Sequence, residues 1–341
     1  MGRQVLVTGG TGYIGSHTVV ELQAVGYEVV IIDDLSNSNA EVIDNIEKIS
    51  GIRPAFEEFN LLNMLQLEAF FEKYSEIEAI IHFAAFKAVG ESVAKPLSYY
   101  RNNLGTLLNI LDCMSKYHVP NLVFSSSCTV YGQPDQLPVT ENTPKKDAES
   151  PYGNTKAISE EILRDVVKVT PDLNVIALRY FNPIGAHPTS LIGELPRGVP
   201  NNLVPFITQT AAGIRQQLSV FGDDYNTPDG SCVRDYINVV DLAKAHVIAI
   251  DRLISSTNTE RYEYFNIGTG RGASVLEVIH TFEEASGVNL NYKIVDRRAG
   301  DVEKIYADTT IANTVLGWSA KTSLFDTLLS AWNWEKKIRN I

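Results

Sequence analysis

The chain has 341 residues, 44% hydrophobic and 21% charged, an ordinary soluble composition with room for two lobes or one large α/β domain. A formal net charge of −12 argues against a general nucleic-acid or anionic-membrane surface, so no nucleic acid and no membrane is expected as a partner. Cys113, Cys128 and Cys232 have the spacing of neither a disulfide framework nor a zinc site, and the six histidines show no ligand spacing, which leaves no metal to expect.

The N-terminus enters a strand pattern directly, with no signal-peptide core, and no apolar run nears the roughly 18 residues that span a bilayer. A cytoplasmic, reducing location is expected. Short β-branched runs at 5–8, 28–33, 80–84, 122–127 and 175–179 alternate with helical spacing at 14–24, 65–74 and 105–117. Alternation of this kind, with nearly continuous apolar strands, predicts an α/β fold with a doubly wound parallel sheet of Rossmann type. After residue 180 the pattern loosens: Pro183, Pro188, Pro196, Pro200 and Pro205 exclude a long helix or a central strand. A first lobe over 1–180 and a smaller mixed α/β lobe over 181–341 are expected, interleaved around 234–262.

Directly after the first strand stands Thr8-Gly9-Gly-Thr-Gly12-Tyr-Ile-Gly15, followed by a helix. Gly9 suits a tight turn, Gly12 lets backbone approach a pyrophosphate, and Gly15 allows close packing of helix on strand, while the helix N-terminus offers free N–H groups. The spacing is G-x-x-G-x-x-G, and its place between strand and helix predicts dinucleotide binding. Asp33 closes the second strand 18 residues beyond Gly15, where a carboxylate accepts from ribose hydroxyls and repels a 2′-phosphate. No Arg or Lys lies between Asp33 and Asn45, so NAD is expected over NADP.

Tyr152 and Lys156 stand four residues apart at the start of a helical segment, about one turn, and therefore share a face. A nearby ammonium stabilises phenolate, so the tyrosine is expected to have a lowered pKa and to transfer protons near neutral pH.

The glycine loop, Ser125-Ser-Ser127 at the end of a strand and Tyr152-x-x-x-Lys156 together resemble the extended short-chain dehydrogenase/reductase superfamily. The runs His82–Ser92, Ser125–Gly132, Arg179–His187, Pro200–Leu203 and Val233–Tyr236 narrow the resemblance to the UDP-glucose 4-epimerase family, over roughly 330 residues. The resemblance implies that Tyr152 takes the proton from the sugar 4-hydroxyl, Ser127 hydrogen-bonds the same oxygen, and Lys156 holds the nicotinamide ribose. Around NAD it implies Tyr13 and Ile14 at the pyrophosphate, Asp33, Asp34, Asn37 and Ser38 at the adenosine ribose, and Phe83, Ala84, Ala85, Lys87, Asn102 and Phe181 along the dinucleotide. Asn60-Leu61 stands near the adenine, where relatives usually have an aspartate and an aliphatic residue; the Asn60 amide oxygen is expected to accept from the adenine amine. On the UDP-sugar side the matching positions are Asn182, Asn202, Leu203, Ser219, Val220, Phe221, Arg234, Arg298 and Asp301. Ile305 stands where members confined to glucose and galactose have a bulky tyrosine, so N-acetylated UDP-sugars are also expected substrates. Relatives form homodimers through helices matching 102–116 and 152–169, and a homodimer is expected here.

Competing functions are a nucleotide-sugar 4,6-dehydratase, a net dehydrogenase and a catalytically silent NAD-binding protein of the same fold. A dehydratase needs an Asp-Glu pair just after the serine strand, where this chain has Cys128-Thr129. Ser127, Tyr152 and Lys156 are all present, which speaks against silence.

Overall fold

A computed structural model describes residues 3–298 and 302–341; of the residues singled out above, Asp301 lies outside the described residues. The first half alternates β1 (Gln4–Thr8), α1 (Tyr13–Ala24), β2 (Glu28–Asp33), α2 (Glu41–Ser50), β3 (Ala55–Glu58), α3 (Met64–Lys73) and β4 (Ile77–His82). After the short α4 (Val89–Ala94) come α5 (Pro96–Lys116), β5 (Asn121–Ser127), α6 (Pro151–Val169) and β6 (Asn174–Tyr180). The helical spacing seen from residue 105 starts earlier in the structure, at Pro96, whose fixed φ and missing N–H suit a first helical turn.

The second half holds β7 (Asn182–Ile184), α7 (Leu203–Ala211), β8 (Leu218–Phe221), β9 (Val233–Arg234), β10 (Tyr236–Asn238) and α8 (Val239–Ile254). It ends with β11 (Tyr262–Ile267), β12 (Ala273–Ser274), α9 (Val275–Ser286), β13 (Tyr292–Val295), β14 (Lys304–Ile305) and α10 (Leu324–Arg339). Seven strands make one parallel sheet in the order β11-β6-β5-β4-β1-β2-β3. The order reverses between β1 and β4, and in such sheets the crevice beyond the strand C-termini at that point is where ligands bind.

Strand alternation sorts the core into two layers. Val5, Val7, Ile31, Ile81 and Val123 point to the face covered by α1, α2 and α8, against Val19, Leu22, Ile46 and Leu242. Leu6, Val30, Ile80, Leu122 and Phe124 point to the other face, against Leu67, Phe71, Leu107, Ile110 and Leu163 of α3, α5 and α6. Both layers include residues from after position 180: α8 covers one face, and β11 closes the sheet edge beside β6. Trp318 also packs in the α8 layer, its indole N–H donating to Asp241 O at 3.0 Å. A separate core of Ile184, Val204, Ile207, Leu218, Phe282, Leu328 and Trp332 supports the smaller lobe. Among the described residues no helix is long and apolar enough to cross a membrane.

Candidate active site

Ser127 is the last residue of β5, and Tyr152 is the second residue of α6, so both stand at the C-terminal edge of the sheet. Local sequence fixes the start of α6: Ser150 Oγ accepts the Gly153 N–H at 3.2 Å and Pro151 occupies the first turn. Tyr152 is thereby presented one turn ahead of Lys156. Lys156 Nζ donates to Ser125 O at 2.5 Å and lies 4.8 Å from the Phe124 ring centroid. Burial pulls the Lys156 ammonium down to about 7, against an opposing pull from Glu160.

Burial pushes the Tyr152 phenol up to about 12, and the hydrogen bond with Ser127 pulls it the other way. The lowering expected from the Tyr152 and Lys156 spacing does not appear: desolvation of the phenolate dominates, and the opposing pull comes from Ser127 instead of from Lys156. Beneath the site Arg179 donates to Glu160 at 2.6 and 2.9 Å, Glu160 also accepts from Lys145 at 2.8 Å and Ser126 at 2.5 Å, and Glu160 and Arg179 are buried. That paired set is bonded to the strand end through Ser126 and leaves neither the Glu160 nor the Arg179 charge without a partner.

The glycine loop lies against the same edge. Gly9 has φ +72°, and a Cβ there would sit 2.9 Å from Ala84 N; a Cβ on Gly15 would sit 2.2 Å from Gly9 O. These two glycines serve the turn and the close packing. Gly12 begins α1 with no side-chain cap, and a Cβ there would meet only Gly9 O, at 3.2 Å, so its outer side is open. Tyr13 and Ile14 follow in the first turn of α1.

Asp33 accepts from Thr11 N at 3.2 Å, Leu35 N at 3.0 Å and Ser38 Oγ at 3.2 Å, which shapes the 34–38 loop. Asn37 is exposed in that loop. Asn60 Nδ2 donates to Asp34 at 2.7 Å while its Oδ1 accepts the Leu62 N–H at 2.9 Å. Its amide oxygen, expected to serve an adenine amine, accepts this backbone N–H and keeps a second lone pair. Leu61 is buried under α5. Phe83 packs 4.7 Å from the His246 ring, Ala84 and Ala85 are half-buried beside it, and Lys87 is exposed at the end of the segment. Asn102 is buried and donates to Asn103, which in turn holds Phe86 N at 2.8 Å.

The sequence profile of the family described as GDP-mannose 4,6 dehydratase matches residues 6–330. UDP-glucose 4-epimerase of Bacillus subtilis is 50% identical over 331 residues, covering 97% of this chain and 96% of that relative. Two solved epimerase structures superpose closely, each at 45% identity and each covering 99% of both chains. That of Stenotrophomonas maltophila, with bound NAD and formylated UDP-arabinopyranose, gives a TM-score of 0.96. That of Bifidobacterium longum, in complex with NAD+ and UDP, gives 0.94. The chain belongs to the UDP-glucose 4-epimerase family.

In this epimerase-family chain the positions matched to the sugar side lie in the second half, on or beside β7, α7, β8, β9 and β14. Phe181 is buried with Cys128, Val130, Tyr131 and Ile305 in one apolar cluster next to Ser127. Asn182 opens β7, which pairs with β10. Asn202 caps the first turn of α7 by position and Leu203 follows as its first residue. On β8, Val220 points into the lobe core and is paired in register with Ile294, while Ser219 is half-exposed and Phe221 lies 5.2 Å beneath the Arg298 guanidinium. Arg234 pairs in register with Ile305, so the arginine and the isoleucine sit on neighbouring strands β9 and β14.

Asn103, Glu194 and Arg197 join the site from positions that no motif marks. Arg197 reaches the loop carrying Asn37 and Ser38 from the far lobe, donating to Ser36 O at 2.9 Å.

Proposed function

We propose that the protein interconverts UDP-glucose and UDP-galactose by inverting C4 of the sugar through a 4-keto intermediate. The observation that carries this reading is the convergence of Ser127, Tyr152 and Lys156 beside an open glycine loop at the sheet's switch point. The cradle suits NAD: Gly12 leaves open space before α1, and the Asp33 carboxylate faces the end of β2, where a 2′-phosphate would be repelled. Bound NAD, held at the glycine loop and Asp33, would supply a reversible hydride acceptor for the sugar C4.

The chain's own residues handle the proton and the geometry. Tyr152 removes the 4-hydroxyl proton as the ketone forms and gives it back as the ketone is reduced. Ser127 donates to the same oxygen, stabilising the charge that develops on it. Lys156, fixed to Ser125 O one helical turn from Tyr152, holds the nicotinamide ribose in this reading. Arg234 and Arg298 suit the diphosphate, since a planar guanidinium donates two hydrogen bonds at once. Elimination of water finds no acid after Ser127: Cys128 is buried with its thiol pushed up to about 12.

Ile305 is smaller than tyrosine and packs with Phe181 next to Ser127, so UDP-N-acetylglucosamine is a further proposed substrate. A cytoplasmic location and a homodimer paired through α5 and α6 belong to the same proposal; the exposure of Leu97 and Leu108 on α5 supports the pairing. Light scattering giving one chain per particle would contradict the pairing. The test of the function is Tyr152→Phe. The variant retains bound NAD and loses turnover of UDP-galactose by about a hundredfold or more; wild-type turnover would overturn the assignment.

A further inference from the structure

Three loops at the sheet edge form the expected dinucleotide site: the glycine loop, the 34–38 loop after β2 and the 83–87 segment after β4. Each arises from a different crossover, yet one segment of the smaller lobe touches all three. Tyr13 Oη donates to Gly185 O at 2.7 Å. Lys87 Nζ pairs with Glu194 Oε1 at 3.3 Å. Arg197 donates to Ser36 O at 2.9 Å, to Leu35 O at 3.1 Å and to Ser38 O.

The segment is itself anchored. Glu194 O accepts the Trp334 indole N–H at 3.0 Å, and Gly193 packs so close that a Cβ would lie 2.6 Å from that ring. Glu194 Oε1 also accepts from Asn202 Nδ2 at 2.6 Å, so one carboxylate oxygen serves both the cofactor side and the sugar side. The loop under Arg197 needs external support, because Leu35 has φ +55°, in a region that side-chain-bearing residues disfavour. A guanidinium aimed at three carbonyls of that turn supplies it.

We propose that residues 185–202 form a strap that retains NAD between turnovers, with Arg197 and Glu194 as positioning residues that hold the 34–38 and 83–87 loops closed. The need is chemical: the hydride taken from C4 must return to the same carbon, so cofactor escaping in mid-cycle strands the ketone. This inference rests on the assignment of those loops to NAD. The strap spans both lobes, so release requires the Arg197 and Glu194 contacts to open first.

The experiment follows exchange of bound NAD for excess radiolabelled NAD in the purified holoenzyme, after rapid desalting. Arg197→Ala is expected to exchange at least tenfold faster than wild type, Arg197→Lys to fall between, and Glu194→Gln to accelerate exchange by weakening the Lys87 pair. Hydrogen exchange of the holoenzyme should rise in the 34–38 amides of Arg197→Ala while the sheet stays protected, a pattern that general destabilisation does not produce. Asp33→Ala serves as the control for the site. Wild-type exchange in Arg197→Ala, together with fast exchange in Asp33→Ala, overturns the strap and leaves the NAD site standing. Wild-type exchange in both variants overturns the strap and the loop assignment together.

Discussion

Lys156 Nζ donates to Ser125 O at 2.5 Å, which ties the helix that carries Tyr152 to the strand that carries Ser127. The same bond places an ammonium in a buried position, where its pKa falls from the ordinary 10.5 to about 7. The folded-state value lies below the unfolded one, so between those two pH values the unfolded chain holds more protons. The cost of burying this lysine is therefore full below about pH 7 and is relieved as pH rises toward 10.5. The thermal midpoint of wild type minus that of Lys156→Met should climb from pH 7 to pH 10; a level difference would show that Lys156 does not titrate in that window.

Asn60 and Asp34 meet as donor and acceptor at 2.7 Å. Asn60→Asp puts two carboxylates in contact and should weaken NAD binding, measured as the fraction of NAD that survives dialysis. Adding Asp34→Asn restores the bond with donor and acceptor exchanged. A double-mutant cycle should then give a coupling that offsets most of the single loss, within the range of about 0.5–3 kcal/mol for contacting pairs. Independent, additive effects would mean the contact does not shape the loop.

Glu160 is buried with Arg179 and accepts from Lys145 and Ser126 as well. Glu160→Ala leaves the Arg179 charge buried without its carboxylate and should cost about 3–5 kcal/mol in urea unfolding. A loss below about 1 kcal/mol, the range of exposed pairs, would argue that water reaches this set.

Ile305 sits with Phe181 and Cys128 at the edge of the site. Ile305→Tyr fills that corner, and kcat/KM for UDP-N-acetylglucosamine should fall relative to UDP-galactose by about tenfold or more, the scale set by pocket volume. An unchanged ratio would place the acetamido group elsewhere.

The parts of the site that follow from local spacing are legible in the sequence. Gly9 and Gly15 can be read because a turn and a helix contact lie within one short run, and Tyr152 and Lys156 because they share a helical face. Arg197 has no such signal: its partners lie 159–162 residues away, and nothing in Leu195-Pro-Arg197 marks them. The pKa of Tyr152 is misjudged from spacing because spacing carries no information on burial. The same limit applies to β3, Ala-Phe-Glu-Glu, a four-residue edge strand with no fully buried side chain and thus no apolar run to detect. The run Tyr262–Ile267 belongs to the main sheet only through its pairing with β6, a contact between distant parts of the chain.

That last pairing constrains how the protein is made. A nascent polypeptide that has emerged only as far as Tyr180 presents all of β6 as a bare border, with its backbone amides and carbonyls free to recruit another chain. Protection arrives when Tyr262–Ile267 leaves the ribosome, so the first-formed half must wait on the second, and trigger-factor-like holding during that interval should raise the yield of native enzyme.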